Sequence, residues 1–459
     1  MKTLIRDISF LVTLDREQSE TSGGYLYTDG PRIAAVGKGE PPPEIEHAAE
    51  MCVFGRDRIA LPGFVNTHHH FYQTLFRNVR EVQSAKLFDW LVFLYERWQR
   101  IDEEAVYQSS LVAMLEMLQS GVTTTSDHHY IFPRGHEQLI DVQIQAARRL
   151  GVRFHPTRGS MSLSREDGGL PPPTVVQREE EILLDSERLI RTYHDRSPLA
   201  MTRIALAPCS PFSVTARLMK ESRDLAERED VLLHTHLAET EDEDRFCREK
   251  FGRGPLEYME DLGWLSDRVW FAHFIHLSRE DQAKAARARV GMSYCPSSNM
   301  RLGSGVAPVA PLVGSGVRQS MGIDGSASND ANNMLAELRT GLLLQRLRYG
   351  ADAMTPRQML RIGTLGGAEV LGRGQEIGSL EVGKAADLIM VRLDTLAMAG
   401  GLDDPPAALL LCDAKQVDFA MVNGEILIRD GQFTRIPPAE LEEIIRAQND
   451  LSRRLVRGL

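Results

Sequence analysis

A regular alternation of short apolar segments with helical segments fills the middle of this chain, and it restricts the possible folds more than any other feature. Eight segments between residues 59 and 325 have the pattern of strands, and stretches of helical pattern separate them. In residues 105–121, for example, apolar side chains recur at helical spacing and Gly121 is suited to end the helix. Eight such units in succession predict a (β/α)8 barrel, whose active site lies at the C-terminal ends of the strands.

The predicted barrel strands are IALPGFVNTHHH (59–70), VTTTSDHHY (122–130), VRFHPTRGS (152–160), TRIALAPCS (202–210), VLLHTHLAE (231–239), RVWFAHFIH (268–276), VGMSYCPSS (290–298) and VRQSMGIDG (317–325).

The two ends of the chain share a different character. Short strand-like segments and turns fill the beginning, and residues 380–435 repeat that pattern, with NGE and DGQ as hairpin signals. We therefore predict a small β-sandwich that is built from both ends and interrupted by the barrel. The predicted division is residues 1–58 for its first part, 59–370 for the barrel, and 371–459 for its second part plus a C-terminal helix.

Composition excludes several classes of function. The net charge is −11 and the pI about 5.7, which disfavours nucleic acid and anionic membranes as partners because both require a basic face. No apolar run approaches the ~18 residues that a membrane-spanning helix needs. The five cysteines are scattered and lack metal-binding spacing, which is typical of reduced thiols. We expect a cytoplasmic protein.

Histidines and carboxylates stand at the ends of several predicted strands. His68 and His70 are two residues apart, so both side chains point the same way along a strand, whereas His69 points to the other side. His236 ends the fifth strand and Asp324 the eighth. Three imidazoles and one carboxylate predict a mixed nitrogen and oxygen site for a divalent metal ion.

The fourth predicted strand indicates how many metal ions to expect. Barrels of this kind with two metals usually carry a bridging carboxylated lysine at that strand end, and none stands near the end of TRIALAPCS. We expect one ion, Zn²⁺, with Fe²⁺ as the alternative.

Several motifs together resemble one protein family. LPGFVNTHHH, HTHLAE, FAH and GIDGSASND look like the amidohydrolase superfamily in its nucleobase and triazine deaminase branch, and GSLEVGKAADLI (378–389) resembles that family's return into the β-sandwich. This resemblance implies that the metal ligands are His68, His70, His236 and Asp324. It also implies that Glu239 shuttles protons, that His273 orients the attacking water, and that Gln73 hydrogen-bonds the substrate ring.

The implied reaction is hydrolytic removal of an amine from an aromatic nitrogen heterocycle. APCSPFSV and CPSSNMRLGSGVAPV are most similar to deaminases of 8-oxoguanine, which would give urate and ammonia. Alternatives are a triazine aminohydrolase or chlorohydrolase, a pterin or isocytosine deaminase and, in another class, a non-catalytic scaffold on the same barrel. A cyclic-amide hydrolase is opposed by the missing lysine. We further expect a homo-oligomer.

Three other features lie near the predicted mouth of the barrel. Arg158 ends the third strand and is expected either to face the substrate or to form a structural ion pair. Trp90 is expected either to line the pocket or to pack in the core. The long Gly-, Ser- and Pro-rich loop 159–173 is either a lid over the site or a surface insertion.

Overall fold

The computed structural model describes residues 1–457, and their strands fall into two sheets. The strands are β1 Lys2–Val12, β2 Glu20–Asp29, β3 Arg32–Lys38, β4 Met51–Phe54, β5 Arg58–Pro62, β6 Phe64–Asn66, β7 Val122–His129, β8 Arg153–Ser160, β9 Ala205–Pro208, β10 Leu232–Leu237, β11 Val269–His273, β12 Gly291–Tyr294, β13 Arg318–Met321, β14 Leu388–Arg392, β15 Phe419–Val422, β16 Glu425–Arg429 and β17 Gln432–Phe433.

The helices lie mostly between the barrel strands. They are α1 Pro43–Ala48, α2 Leu87–Trp98, α3 Glu103–Gln119, α4 Leu139–Leu150, α5 Glu179–Tyr193, α6 Ala216–Glu229, α7 Glu241–Phe251, α8 Pro255–Asp261, α9 Arg279–Ala288, α10 Pro296–Arg301, α11 Val309–Leu312, α12 Met334–Tyr349, α13 Pro356–Arg361, α14 Gly367–Val370, α15 Pro405–Leu411 and α16 Pro438–Arg457. Short 3-10 turns occupy Phe71–Phe76, Arg80–Val82, Arg165–Asp167 and Pro173–Val175, and a π-helical turn occupies Ile362–Gly366.

Strands β6 to β13 form a closed, eight-stranded parallel barrel in chain order. The last strand returns to the first through Met321 and Asn66, which closes the ring. Every one of the eight predicted strands contributes to this barrel, so the predicted (β/α)8 fold is confirmed.

The first predicted strand is divided between the two sheets. Residues 58–62 form β5, which pairs with β1 and β14 at the chain ends, and only Phe64–Asn66 enters the barrel. The break comes at Gly63, where a Cβ atom would lie 2.1 Å from Oγ1 of Thr123. The sheet of the chain ends therefore extends past residue 58, and the paired histidines follow the end of β6 in an extended segment instead of lying within a strand.

The nine strands outside the barrel form one continuous sheet in the order β17-β16-β15-β14-β5-β1-β2-β3, and β4 pairs with β1. Strands from the two chain ends meet in its centre, where β5 pairs with β1 on one side and with β14 on the other. The sheet surrounds its own small core, which includes Ile5, Leu26, Leu388 and Phe419. The two chain ends therefore depend on each other for burial.

A buried ion pair joins this sheet to the barrel. Arg153, the first residue of β8, donates from Nε and Nη2 to the carboxylate of Asp387 at 3.1 and 3.0 Å. Its Nη1 donates to the carbonyls of Leu199 and Ala200. Asp387 also accepts from the backbone N–H of Asn423 at 2.7 Å. Because Arg153 begins its strand, this contact lies at the end of the barrel opposite the C-terminal mouth.

The C-terminal helix α16 packs against the barrel. Gln108 of α3 donates to the carbonyl of Ile444 at 2.6 Å, Gln448 donates to Oγ1 of Thr74 at 3.0 Å, and Ser452 donates to the carbonyl of Leu75 at 2.7 Å. The helix thereby supports the turn Phe71–Phe76, which follows the paired histidines. Within residues 1–457, none of the helices is both long and apolar enough to span a membrane.

Candidate active site

The predicted metal ligands converge at the C-terminal mouth of the barrel. Nε2 of His70 lies 3.2 Å from Nε2 of His236 and 3.4 Å from Oδ1 of Asp324. Nε2 of His68 lies 3.5 Å from the same carboxylate oxygen. All four side chains are buried. The residues that the sequence placed at three different strand ends therefore form one cluster.

Hydrogen bonds to the far side of each ring set the tautomers of these histidines. Nδ1 of His70 lies 2.7 Å from the carbonyl of His128, and Nδ1 of His236 lies 2.7 Å from the carbonyl of Cys209. A carbonyl only accepts, so both Nδ1 atoms carry the proton and both Nε2 atoms present lone pairs. Burial lowers the pKa of both histidines, which favours the neutral rings.

His68 is set in the same way through a second histidine. Nδ1 of His234 donates to the carbonyl of Trp270 at 2.8 Å, so Nε2 of His234 is an acceptor. It lies 2.8 Å from Nδ1 of His68, which must donate and leave its own Nε2 as a lone pair. His234 therefore supports His68 from outside the ligand cluster.

This arrangement fits a divalent metal ion. Two lone pairs on His70 and His236 face each other at 3.2 Å, which is repulsive unless a cation lies between them. Nε2 of His68 is buried and has no hydrogen-bond partner. Three neutral imidazoles and one carboxylate, each held by an outer hydrogen bond or a buried environment, are a typical ligand set for such an ion.

Closely spaced side chains that could bind a metal ion belong to one centre. Among residues 1–457, two triads bring their ligand atoms within 4.8 Å of one another, and both contain His68. One adds His236 and His128, and the other adds His273 and Asp324. His128 stacks on His236 with ring centroids 4.7 Å apart, and its Nδ1 has no hydrogen-bond partner. The sequence interpretation missed His128, although it stands at the end of the second predicted strand.

Glu239 and His273 lie beside the cluster. Oε2 of Glu239 is 3.5 Å from Nε2 of His273, and Oε1 accepts from Oγ of Ser304 at 3.3 Å. The amide of Asn299 donates to Nδ1 of His273 at 2.9 Å, so Nε2 carries the ring proton and faces Glu239. Burial, the carboxylate of Asp324 and that of Glu243 raise the pKa of Glu239 well above its usual range. Glu239 is thus suited to carry a proton.

Backbone geometry turns two of these side chains into the site. His273 has φ +69° and Asp324 has φ +65°, in the left-handed region that non-glycine residues seldom occupy. Trp270 stacks on His234 inside the barrel, so alternation along β11 would direct His273 outward. The left-handed turn at the strand end reverses that direction. Such conformations cost about 1–3 kcal/mol each and cluster at functional sites.

A cavity opens onto the cluster. Gln73 lines it, and its Oε1 accepts from the backbone N–H of Ala327 at 3.3 Å, which leaves the amide N–H₂ group as a donor. Gly325 permits this approach, since a Cβ atom there would lie 2.0 Å from Oε1 of Gln73. The structure therefore places Gln73 in the same cavity as three of the predicted metal ligands.

Helix α2 contributes one wall of this cavity. Trp90 lines the cavity and donates from Nε1 to the carbonyl of Ala327 at 3.2 Å. The hydroxyl of Tyr95 is buried in the same wall and has no hydrogen-bond partner. The apolar surface of the cavity includes Leu87, Leu91, Phe212 and Leu302. The sequence interpretation missed Tyr95, because no motif marks the helix on which it lies.

Arg158 does not reach the cavity, and its assignment to substrate binding is not supported. Its Nε donates to Asp185 of α5 at 2.7 Å, its Nη2 donates to Gln177 at 2.9 Å, and the guanidinium lies 4.0 Å from the ring centroid of Phe132. These contacts place it outside the barrel wall, so the structural ion pair is the correct alternative. Adjacent residues of a strand point to opposite faces, and Arg158 lies on the face of β8 that points away from the barrel interior.

Residues of the loop 159–173 are not among those that line the cavity. The backbone N–H groups of Ser162 and Leu163 both donate to the carbonyl of Ser213 at 3.0 Å. Arg165 pairs with Glu96 of α2 at 3.3 Å, on the exposed surface. The lid hypothesis stays a prediction, and α2 is the segment that borders the cavity directly.

Comparison with known proteins decides the family. The sequence profile described as Amidohydrolase family matches residues 59–427. The chain belongs to the amidohydrolase family. This amidohydrolase is 49% identical over 425 residues to 8-oxoguanine deaminase of Pseudomonas aeruginosa, which covers 92% of this chain and 93% of that protein.

Two further proteins are similar to this chain at lower identity. Hydroxydechloroatrazine ethylaminohydrolase of Pseudomonas sp. (strain ADP) is 35% identical, with 94% of this chain and 89% of that protein covered. Among solved structures, atrazine chlorohydrolase TrzN of Arthrobacter aurescens TC1 in complex with zinc superposes with a TM-score of 0.92 at 32% identity. It covers 98% of this chain and 100% of the other. The relatives are named deaminases and hydrolases, so this amidohydrolase is an enzyme that acts on carbon–nitrogen bonds of heterocycles.

Proposed function

We propose that this amidohydrolase is a zinc-dependent deaminase that converts 8-oxoguanine and water to urate and ammonia. The observation that carries the proposal is the buried cluster of lone-pair nitrogens with Glu239 and His273 beside it. The 49% identity to an 8-oxoguanine deaminase supports the choice of substrate. All four proposed metal ligands are present, which favours an enzyme over a non-catalytic scaffold on the same barrel.

The metal would be held by His68, His70, His236 and Asp324. Zn²⁺ is proposed because neutral imidazoles with one carboxylate suit it and because the TrzN structure contains zinc. When bound, such an ion lowers the pKa of a coordinated water towards ~7 and so supplies a nucleophile at neutral pH.

The side chains around the ion direct the proton transfers. Asp324 is placed to accept a proton from the attacking water, and the N–H of His273 orients that water and the charge that develops on its oxygen. Glu239 carries one proton of the water to the ring nitrogen next to the reacting carbon, and the other proton of the water, accepted by Asp324, passes to the amine. The C–N bond then breaks, ammonia leaves, and a C=O bond takes its place. A general acid of this kind contributes ~10²–10⁴-fold, because an unprotonated amine is a poor leaving group.

The cavity wall formed by α2 supports recognition of an oxygen on the ring. In 8-oxoguanine the amino group and the 8-oxo group lie at opposite ends of the bicycle. The hydroxyl of Tyr95 lies in this wall without a partner and is the donor proposed for the 8-oxo group. Gln73 offers a second donor nearer the metal ligands. A buried donor discriminates strongly against a ring that lacks its acceptor.

A second candidate is the removal of an alkylamine from a hydroxytriazine. The apolar surface of Leu87, Leu91, Phe212 and Leu302 would suit alkyl groups, and a relative named for that reaction is 35% identical. This reaction would use the same metal ligands and the same Glu239.

A substrate panel separates these candidates. The zinc-loaded enzyme is assayed with 8-oxoguanine, guanine, isoxanthopterin and hydroxyatrazine, and urate, ammonia and ethylamine are measured. The proposal predicts the highest kcat/KM for 8-oxoguanine and a much lower value for guanine. Faster loss of ethylamine from hydroxyatrazine than of ammonia from 8-oxoguanine would overturn the substrate assignment and leave the metal chemistry intact.

A further inference from the structure

Glu243 is a fully buried carboxylate that does not line the cavity, yet it binds the backbone of the proposed proton shuttle. Its Oε1 accepts from the N–H of Ala238 and its Oε2 accepts from the N–H of Glu239, both at 2.9 Å. Each carboxylate oxygen of Glu243 therefore accepts from one of two consecutive backbone N–H groups. Hydrogen bonds to a carboxylate are roughly twice as strong as those between neutral groups.

The turn that Glu243 holds is also joined to the turn that carries His273. The carbonyl of Ala238 accepts from the N–H groups of Ile275 and His276, both at 2.9 Å, and that of Leu237 accepts from Phe274 at 3.1 Å. Each turn contains left-handed residues, with φ +54° at Ala238, +69° at His273 and +56° at Phe274. Left-handed conformations are costly for residues other than glycine, and they persist only where neighbouring contacts enforce them.

We propose that Glu243 is a positioning residue that holds the Ala238–Glu239 turn, and through it the His273 turn, in the geometry that proton transfer requires. This inference rests on the proposed function, since it assumes that Glu239 carries the proton. A carboxylate suits the task because it offers an acceptor to each of two adjacent donors. Glutamine retains one acceptor and turns an N–H₂ group towards the other backbone N–H.

Glu243 also lies in the first turn of α7, so a purely structural role has to be separated from a positioning role. The helix has its own cap, because Oγ1 of Thr240 accepts from the N–H of Glu243 at 3.4 Å. Thr240→Ala removes this cap and leaves both bonds from Glu243 in place. It is therefore a matched control at the same helix end.

The first experiment compares Glu243→Gln, Glu243→Asp and Thr240→Ala for kcat, KM, bound zinc and thermal stability. Glu243→Gln is expected to lower kcat at least ~10-fold, towards the ~10²-fold that a misplacement of about 1 Å can cost. KM and zinc content should stay within about twofold of wild type, and Thr240→Ala should retain kcat even where its loss of stability is similar. A loss of kcat no larger than that of Thr240→Ala would overturn the inference. If Glu243→Gln folds poorly, the same measurements are made on Glu243→Asp, which keeps the charge on a shorter side chain.

A double-mutant cycle with Glu239→Gln tests whether Glu243 acts through Glu239. Once the shuttle is gone, adding Glu243→Gln should lower the residual rate by less than about twofold. The same fold-loss in both backgrounds would overturn the positioning role alone. A fully active Glu239→Gln enzyme would instead overturn the proposed role of Glu239 and this inference with it.

Discussion

The ion pair between Arg153 and Asp387 allows a quantitative prediction of stability. The side chains are 0% and 3% exposed. Asp387→Ala would leave two N–H groups of the guanidinium and the N–H of Asn423 without their acceptor. Each buried donor left unpaired costs about 1–3 kcal/mol, and breaking one member of a buried pair costs about 3–5 kcal/mol. We expect the free energy of unfolding to fall by about 3–5 kcal/mol.

The measurement is equilibrium unfolding in urea, followed by tryptophan fluorescence and far-ultraviolet circular dichroism. Coincident transitions are required before a single free energy is assigned, because the barrel and the sheet of the chain ends have separate cores. The control is Asp394→Ala, whose pair with Arg392 is 42% and 51% exposed and should therefore leave the free energy of unfolding nearly unchanged. Replacing the buried pair by Arg153→Met with Asp387→Leu should recover much of the loss.

The same variant should leave kcat and bound zinc unchanged in the folded enzyme, because the pair lies at the opposite end of the barrel from the metal ligands. A loss of stability below about 1 kcal/mol would refute the reasoning about the unpaired guanidinium. So would a fall in kcat without a change in stability.

Four further predictions concern the site. His68→Ala and His236→Ala should each sharply lower bound zinc, as measured by metal analysis, and full occupancy in either would contradict the ligand assignment. Glu239→Gln should bind zinc normally and lose at least ~10²-fold in turnover, since it cannot transfer a proton; wild-type turnover would move the shuttle elsewhere. Tyr95→Phe should lower kcat/KM for 8-oxoguanine by ~5–150-fold, the range that matches an unpaired acceptor worth about 1–3 kcal/mol, and should leave the rate with guanine unchanged. Arg158→Met should lower the melting temperature and leave KM unchanged, and a large rise in KM would return Arg158 to the substrate site.

The residues that could be predicted from the sequence are those whose position follows from local periodicity. His68 and His70 are two residues apart, and His236 and Asp324 stand at strand ends. Once a barrel is recognised, these positions are sufficient to predict that the four side chains lie close together. The same periodicity leaves one choice open at each strand, because it does not say which alternate set faces inward. For this reason the sequence left both alternatives open for Arg158, contact with the substrate or a structural ion pair.

Other parts of the site depend on long-range contacts that leave no local signal. Tyr95 reaches the cavity only because α2 packs over the mouth of the barrel. His273 faces the site because of a left-handed backbone angle, which the sequence does not reveal for a residue other than glycine. The division of the first predicted strand at Gly63 likewise depends on Thr123, a neighbour from another strand.

The pairing of the two chain ends has a consequence for synthesis on the ribosome. Strand β5 is made before the barrel, but its partner β14 begins only at Leu388, and α16, which supports the turn that carries Gln73, follows later still. Strand β5 must therefore wait with one edge unpaired while the whole barrel is translated. We expect nascent chains that do not yet contain α16 to be inactive.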